Sequence, residues 1–249
     1  MAVSYLKKAV RARQADHQDV RGVVGAMLDE IRASGEEAVR RYSRELDKWE
    51  GDIVVPRAAI DAAVARIPEK LKDDIRFAHG NIRRFAEAQR ATIIDCNVEV
   101  LPGLTAGQRQ IPVSAAGCYV PGGRYSHIAS AIMTITTAKV AGVPSIAACS
   151  PPRPGRGIPD AILYAMDLCG ADAILALGGV QAVAAMANGF FGLPKADILV
   201  GPGNQFVAEA KRILYGQVGI DMVAGPTDLM IIADATADPE LVARDLVGQ

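Results

Sequence analysis

The stretch from Ala196 to Asp234 constrains this chain more than any other. Ile198-Leu199-Val200 is a short apolar run with β-branched ends, the pattern of a buried strand. Gly201-Pro202-Gly203-Asn204 breaks it. From Gln205 to Tyr215 the apolar residues Phe206, Val207, Ala210, Ile213 and Leu214 recur at helical spacing, with Glu209, Lys211 and Arg212 facing away. Gly216 ends the helix. Ala224-Gly225-Pro226-Thr227 then leads into a second expected strand, Met230-Ile231-Ile232-Ala233. A loop that leaves a strand and opens a helix presents free backbone N–H groups at the positive end of a helix dipole, a place to hold a phosphate. The segment therefore reads as one end of a nucleotide-type site in an α/β protein.

The rest of the chain extends this pattern. Asp19 to Trp49 carries an apolar stripe, Val20, Val23, Val24, Met27, Leu28 and Ile31. It resumes after Ser34-Gly35 with Ala38, Val39, Tyr42 and Leu46. Ala58 to Arg66 and Glu69 to Arg90 are two further expected helices, split by Pro68. This front portion is helical, charged and poor in chemistry, and runs such as Arg40-Arg41 and Arg83-Arg84 read as solvated faces. The character changes near Pro102-Gly103. Val113 to Val120 reads as a strand and Ile128 to Ala141 as a small-residue helix. The unit then repeats: strand Ile146 to Cys149, helix Ile158 to Cys169, strand Ala173 to Ala176, helix Gln181 to Gly189, strand Asp197 to Val200. Alternation at these spacings predicts a parallel sheet with right-handed crossovers. Pro151 to Gly157 reads as a surface loop.

Three glycine turns follow three strand ends: Pro121-Gly122-Gly123, Leu177-Gly178-Gly179 and Gly201-Pro202-Gly203. Ligands of open parallel sheets collect at such ends. The polar residues beside them are Tyr119, Arg124, His127, Gln181, Asn204 and Thr227. Tyr119 can stack on a ring, donate a hydrogen bond, or simply fill the core. Gln181 and Asn204 stand where helices begin, as capping residues or as ligand contacts. Thr227 is either a turn residue or a ligand contact. The G-x-G-x-x-G fingerprint and the Gly-Lys-Ser/Thr of a P-loop are absent, which disfavours a kinase-like reading. His17 and His79 read as surface residues, no histidine pair has metal spacing, and no general base is visible.

A net charge of −1 gives no basic face for nucleic acid. Cys96, Cys118, Cys149 and Cys169 fit neither a zinc knuckle nor a redox pair, and Cys149 and Cys169 read as buried reduced thiols. The start lacks the apolar core of a signal peptide and no apolar run is long enough to span a membrane, so a cytoplasmic protein without a membrane partner is expected.

At these turns the sequence resembles the histidinol dehydrogenase family. The matching residues are Gly117 to Gly123, Ala138 to Gly142, Gly178-Gly179-Val180-Gln181-Ala182, Val200 to Asn204, Val218 to Met222 and Ala224-Gly225-Pro226-Thr227. The front portion matches in layout only. The resemblance implies zinc- and NAD-dependent oxidation of a small-molecule primary alcohol to a carboxylate, by two successive hydride transfers. It implies NAD contacts at Tyr119, Gln181 and Asn204, and a substrate contact at Thr227, where the family commonly has Ser. Asp245 to Gln249 matches the start of a family helix that continues Ala-Glu-His, so Gln249 carries over as a zinc ligand near substrate. The family's other zinc ligands and its Glu–His acid/base pair lie downstream of that point. The 249 residues are therefore expected to be the front portion of a longer enzyme, inactive alone, or else a non-catalytic nucleotide-binding fragment.

Gly123 to Ala131, Thr105 to Arg109 and Ala147 to Pro151 look more like the sulfopropanediol 3-dehydrogenase branch than the biosynthetic histidinol branch. The charge argument agrees: a guanidinium at Arg124 repels the amine of histidinol and holds a sulfonate. Arg124 or His127 is thus expected to select 2,3-dihydroxypropane-1-sulfonate, which would be oxidised to 3-sulfolactate. The alternatives are an Arg124 that contacts an NAD phosphate or solvent, and L-histidinol as substrate. The expected fold is α/β, with 1–118 as the helical front part of a first domain. Residues 119–227 are then an incomplete Rossmann-like NAD domain, and 228–249 a return to the first domain. The family also implies a homodimer.

Overall fold

A computed structural model describes residues 17–122, 126–223 and 229–248. The apolar stripe at the front forms helix α1 (His17–Ser34) and α2 (Glu36–Tyr42), and runs into a π-helical turn, Ser43–Asp47. Lys48 stops that turn in the left-handed conformation. Helices α3 (Arg57–Arg66) and α4 (Glu69–Ala91) follow, separated at Pro68, where a proline suits the residue before a helix start.

One element was absent from the sequence reading. Cys96–Leu101 and Leu104–Gln108 form an antiparallel hairpin, β1 and β2, turning at Pro102-Gly103. The Gly103 N–H donates to Glu99 Oε1 at 2.8 Å, closing the turn. All residues of both strands are exposed, so no alternation of buried and polar positions betrays them.

Five parallel strands make the main sheet: β3 (Ala115–Tyr119), β4 (Ser145–Ser150), β5 (Ala173–Ala176), β6 (Ile198–Val200) and β7 (Gly219–Ile220). Their order is β5-β4-β3-β6-β7. The crossovers are α5 (Ile128–Val140), α6 (Asp160–Cys169), α7 (Gly179–Asn188) and α8 (Gln205–Leu214). Successive side chains alternate between the faces. Tyr119, Ala147, Cys149, Leu175 and Leu199 meet α1, α2, α7 and α8. Ala116, Cys118, Ile146, Ala148 and Ile174 meet α3, α4, α5 and α6. Cys118, Cys149 and Cys169 are buried free thiols, each pushed above the ordinary thiol range by burial.

The front helices are tied to the sheet by more than apolar contact. Residues 53–55 run antiparallel to β5: Val55 N–H donates to Ile174 O and Ala176 N–H to Ile53 O, both at 2.8 Å. That covers the sheet's open edge. Arg57 pairs with Asp167 and Arg66 with Asp160, joining α3 to α6. At the strands' amino ends Asp197 Oδ2 accepts from the N–H groups of Ser114 (2.7 Å) and Ala115 (2.9 Å), fixing β6 beside β3.

The expected strand Met230 to Ala233 is not regular structure. Met230 and Ile232 are 81% and 88% exposed, and no strand pairs with them among the described residues. An apolar run forms a strand only where a neighbour satisfies its backbone groups. Residues 229–238 are followed by α9 (Pro239–Gly248), which is also largely exposed. No helix among the described residues is long and apolar enough to cross a membrane.

Leu175 is fully buried on the face covered by α1 and α2, while its bridge partner Val54 is 40% exposed. Leu175→Ala is expected to lower unfolding stability by ~2–5 kcal/mol through the cavity it leaves. Val54→Ala should cost only about 0.5 kcal/mol. Chemical denaturation of the two variants against the parent checks the contrast.

Candidate functional site

The chain passes from β3 outward to β4 and β5, then returns to place β6 on the other side of β3. Strand order therefore reverses between β3 and β6. The carboxyl ends flanking such a reversal bound the natural ligand crevice of an open parallel sheet. A cavity of about 470 Å³ lies there, within the ~300–1,000 Å³ typical of small-molecule and cofactor sites. Tyr119 at the end of β3, Gln181 in the first turn of α7 and Asn204 before α8 all line it. The three glycine turns thus converge, through Gly122, Gly179 and Gly203. Val23 and Met27 of α1, Leu46 and Phe206 supply an apolar wall.

The front portion also supplies chemistry that the sequence reading missed. Asp47, the last residue of the π-helical turn, lines the cavity. Its Oδ2 accepts from Gln181 Nε2 at 2.9 Å and from the Gly178 N–H at 3.1 Å. Burial raises its carboxyl above the ordinary aspartate range, and the two hydrogen bonds oppose that shift. Gly178 is required here: a Cβ would sit 2.8 Å from Asp47 Oδ1 and 2.8 Å from Pro151 Cβ. Nothing in the sequence marks Asp47 among the many acids of the helical front; the left-handed Lys48 that ends its turn is visible only in the structure.

Tyr119 is both core and site. Its ring packs in the sheet–helix core, and its hydroxyl accepts from the Gly179 N–H at 3.1 Å. Burial pushes the phenol well above its ordinary range, so it keeps a proton to donate. Gln181 is 1% exposed, and its Oε1 has no hydrogen-bond partner among the described residues. Asn204 caps α8: its Oδ1 accepts from Phe206 N–H (3.0 Å) and Val207 N–H (3.1 Å). The row of free backbone donors expected for a phosphate is thus partly taken, at α8 by Asn204 and before α7 by Asp47 and Tyr119. The residues present suit a ligand that donates to Gln181 Oε1 and accepts from the Tyr119 hydroxyl.

Lys211 does not face away from the protein as expected. It is 2% exposed, donates from Nζ to Gly201 O at 3.0 Å, and pairs with Asp221 Oδ1. Asp221 Oδ2 accepts from the Gly201 N–H at 2.8 Å. Gly201 is held at both its polar groups, with φ +117°, and a Cβ there would lie 2.1 Å from Tyr119 O. No other residue fits. His127 is exposed before α5 and does not line the cavity. Arg124, Thr227 and Gln249 lie outside the described residues. No group of three His, Cys, Asp or Glu side chains among the described residues is arranged to hold a metal ion.

A five-stranded parallel sheet with a cavity at the β3/β6 reversal defines an α/β protein. Residues 10–249 match the family model for histidinol dehydrogenase. The chain belongs to the histidinol dehydrogenase family. It is 62% identical over 249 residues to a sulfopropanediol 3-dehydrogenase from Ruegeria pomeroyi, covering all of this chain and 57% of that protein. It is 39% identical over 250 residues to a histidinol dehydrogenase from Parasynechococcus marenigrum, again covering all of this chain and 57% of the relative. The crystal structure of histidinol dehydrogenase from Elizabethkingia anophelis superposes with a TM-score of 0.85 at 34% identity, over 96% of this chain and 55% of that one. The chain thus spans somewhat more than half the length of the relatives it matches.

Asp221→Asn leaves the Lys211 ammonium buried without its counter-charge. The expected loss of unfolding stability is about 3 kcal/mol, and the Lys211→Met/Asp221→Asn pair should lose less than Asp221→Asn alone. Denaturant midpoints of the single and double variants measure this directly.

Proposed function

We propose that this protein forms the dinucleotide-holding part of a zinc- and NAD-dependent alcohol dehydrogenase. The observation that carries the reading is that Tyr119, Gln181 and Asn204 line one cavity at the strand-order reversal. These are the three positions at which the family resemblance puts NAD contacts. An unpartnered Gln181 Oε1 and a buried Tyr119 hydroxyl suit the ribose and amide groups of a dinucleotide, and the apolar wall suits a ring. NAD, when bound, supplies the hydride acceptor. Tyr119 and Asn204 bind and orient it, and Val23, Met27 and Phe206 exclude water from one side. Gln249, the one zinc ligand that the family resemblance gives this sequence, lies outside the described residues, and these offer no three-donor metal group.

The substrate proposed is 2,3-dihydroxypropane-1-sulfonate, oxidised at its primary alcohol to 3-sulfolactate by two hydride transfers. The 62% relative named for sulfopropanediol supports this choice. Arg124, two residues after the cavity-lining Gly122, would hold the sulfonate, and Thr227 and Gln249 would meet substrate. L-histidinol is the competing substrate, favoured by the name of the 39% relative. A homodimer is part of the same proposal.

The test is NADH formation by the complete protein with the sulfonated diol and histidinol offered side by side. Turnover of the diol, with two NADH per molecule consumed, is the expected result; turnover of neither alcohol overturns the reading. Arg124→Ala should raise KM for the diol by about tenfold or more, the size of one lost charge-assisted contact. An unchanged KM removes Arg124 from substrate selection.

A further inference from the structure

The polar groups around the cavity divide unequally. The Tyr119 hydroxyl is committed as an acceptor to Gly179 N–H, and Asn204 Oδ1 is committed to the start of α8. Both present donors to whatever else approaches them. Gln181 is the exception. Its amide is buried, its Nε2 is committed to Asp47, and its Oε1 is the one buried side-chain oxygen of the cavity wall left without a partner among the described residues.

An amide in a protein interior can point either way round, and its two orientations offer opposite polarity to a ligand. An ionised carboxylate only accepts hydrogen bonds. Asp47 Oδ2 therefore requires Nε2, not Oε1, to face it. The carboxylate is itself fixed. The Gly178 N–H donates to the same oxygen, and Gly178 has no side chain that would push Asp47 away. The backbone that delivers Asp47 is unusual as well. A five-residue π-helical turn ends on it, and Lys48 behind it takes φ +53°, which few non-glycine residues adopt. π-Helical turns of this kind occur frequently at functional sites.

We infer that Asp47 is a positioning residue for cofactor recognition: it locks the Gln181 amide so that Oε1 is the acceptor offered to a hydroxyl or amide N–H of the bound dinucleotide. The inference rests on the NAD reading above and adds to it the residue that sets the polarity of the site. Asp47 acts through Gln181, from the helical front portion, 134 residues away in sequence.

The experiment is a thermodynamic cycle of NAD+ binding to the protein, measured by titration calorimetry. Asp47→Ala frees the amide and is expected to weaken NAD+ about tenfold. Asp47→Asn, which keeps an acceptor oxygen for Nε2, should hold affinity within about threefold. Gln181→Ala should weaken binding by a similar tenfold, and adding Asp47→Ala to it should cost nothing more. Gln181→Glu supplies a second arm that keeps the volume of the site. It sets two carboxylates against each other and should weaken NAD+ by tenfold or more, and Asp47→Asn in the same protein should restore most of the loss. A parent protein with no affinity for NAD+ overturns the dinucleotide reading and this inference together. Parent binding that survives Asp47→Ala unchanged overturns the positioning role alone, as does an Asp47→Ala loss that persists in the Gln181→Ala background. Should Asp47→Ala not fold, a Gln181→Glu loss that Asp47→Asn fails to reverse does the same.

Discussion

The need to bury both faces of a five-stranded parallel sheet governs this molecule. A parallel sheet leaves neither face to water, so its strands must be short, apolar runs with helices on each side. Each face here carries two crossover helices, and two cannot cover it. Helices α1 and α2 complete one side beside α7 and α8, and α3 and α4 complete the other beside α5 and α6. The front portion, quiet in chemistry when read alone, is thus cover for the sheet. Because the cover reaches the rim where the strands end, it also brings Met27, Leu46 and Asp47 to the cavity. A packing requirement has delivered part of the cavity wall.

Sequence periodicity was informative where a residue's role is local. Ala173 to Ala176 is a strand because four apolar residues stand between a glycine-terminated helix and a glycine turn, and the structure places β5 on those four. The α3–α4 break at Pro68 and the helix from Gln205 are legible for the same reason. Legibility fails where the deciding partner is remote. Lys211 sits at a helical position where lysines ordinarily face outward, and the Gly201 carbonyl and Asp221 draw it inward. Asp47 looks like one acid among many until the fold sets it under Gln181. The exposed β1–β2 hairpin and the unpaired run at Met230 fail in opposite directions. One is a strand pair without an apolar face, the other an apolar run without a pair.

The polar logic of the rim follows from the same covering of the sheet. Helix starts at the carboxyl edge present N–H groups that a buried location cannot leave unsatisfied. The chain answers with its own side chains: Asn204 at α8, and Asp47 and Tyr119 just before and at the start of α7. A site saturated in this way is preorganised, because little polar surface must be desolvated or reoriented when a ligand arrives. The Gln181 oxygen is left uncommitted among the described residues, and a buried acceptor left unmade costs about 1–3 kcal/mol.

One further pairing shows how two exits of the sheet are kept in step. Asp221 follows β7 and holds the Gly201 N–H with one oxygen, while its other oxygen meets the Lys211 ammonium and the Met222 N–H at 2.6 Å. Lys211, from α8, returns to the Gly201 carbonyl. The loop after β6, the helix it opens and the chain leaving β7 therefore share one closed set of bonds around a glycine that has no room to move toward Tyr119. Any shift of the β7 exit must pull on Gly201, and through it on the turn that ends in Asn204. An ion pair with its lysine buried adds little net stability over a well-packed apolar pair. Its effect is to set geometry, because each charge has a single place where its counter-charge and hydrogen bonds are all available. The loop after β6 and the segment that leaves β7 thus depart from one fixed point.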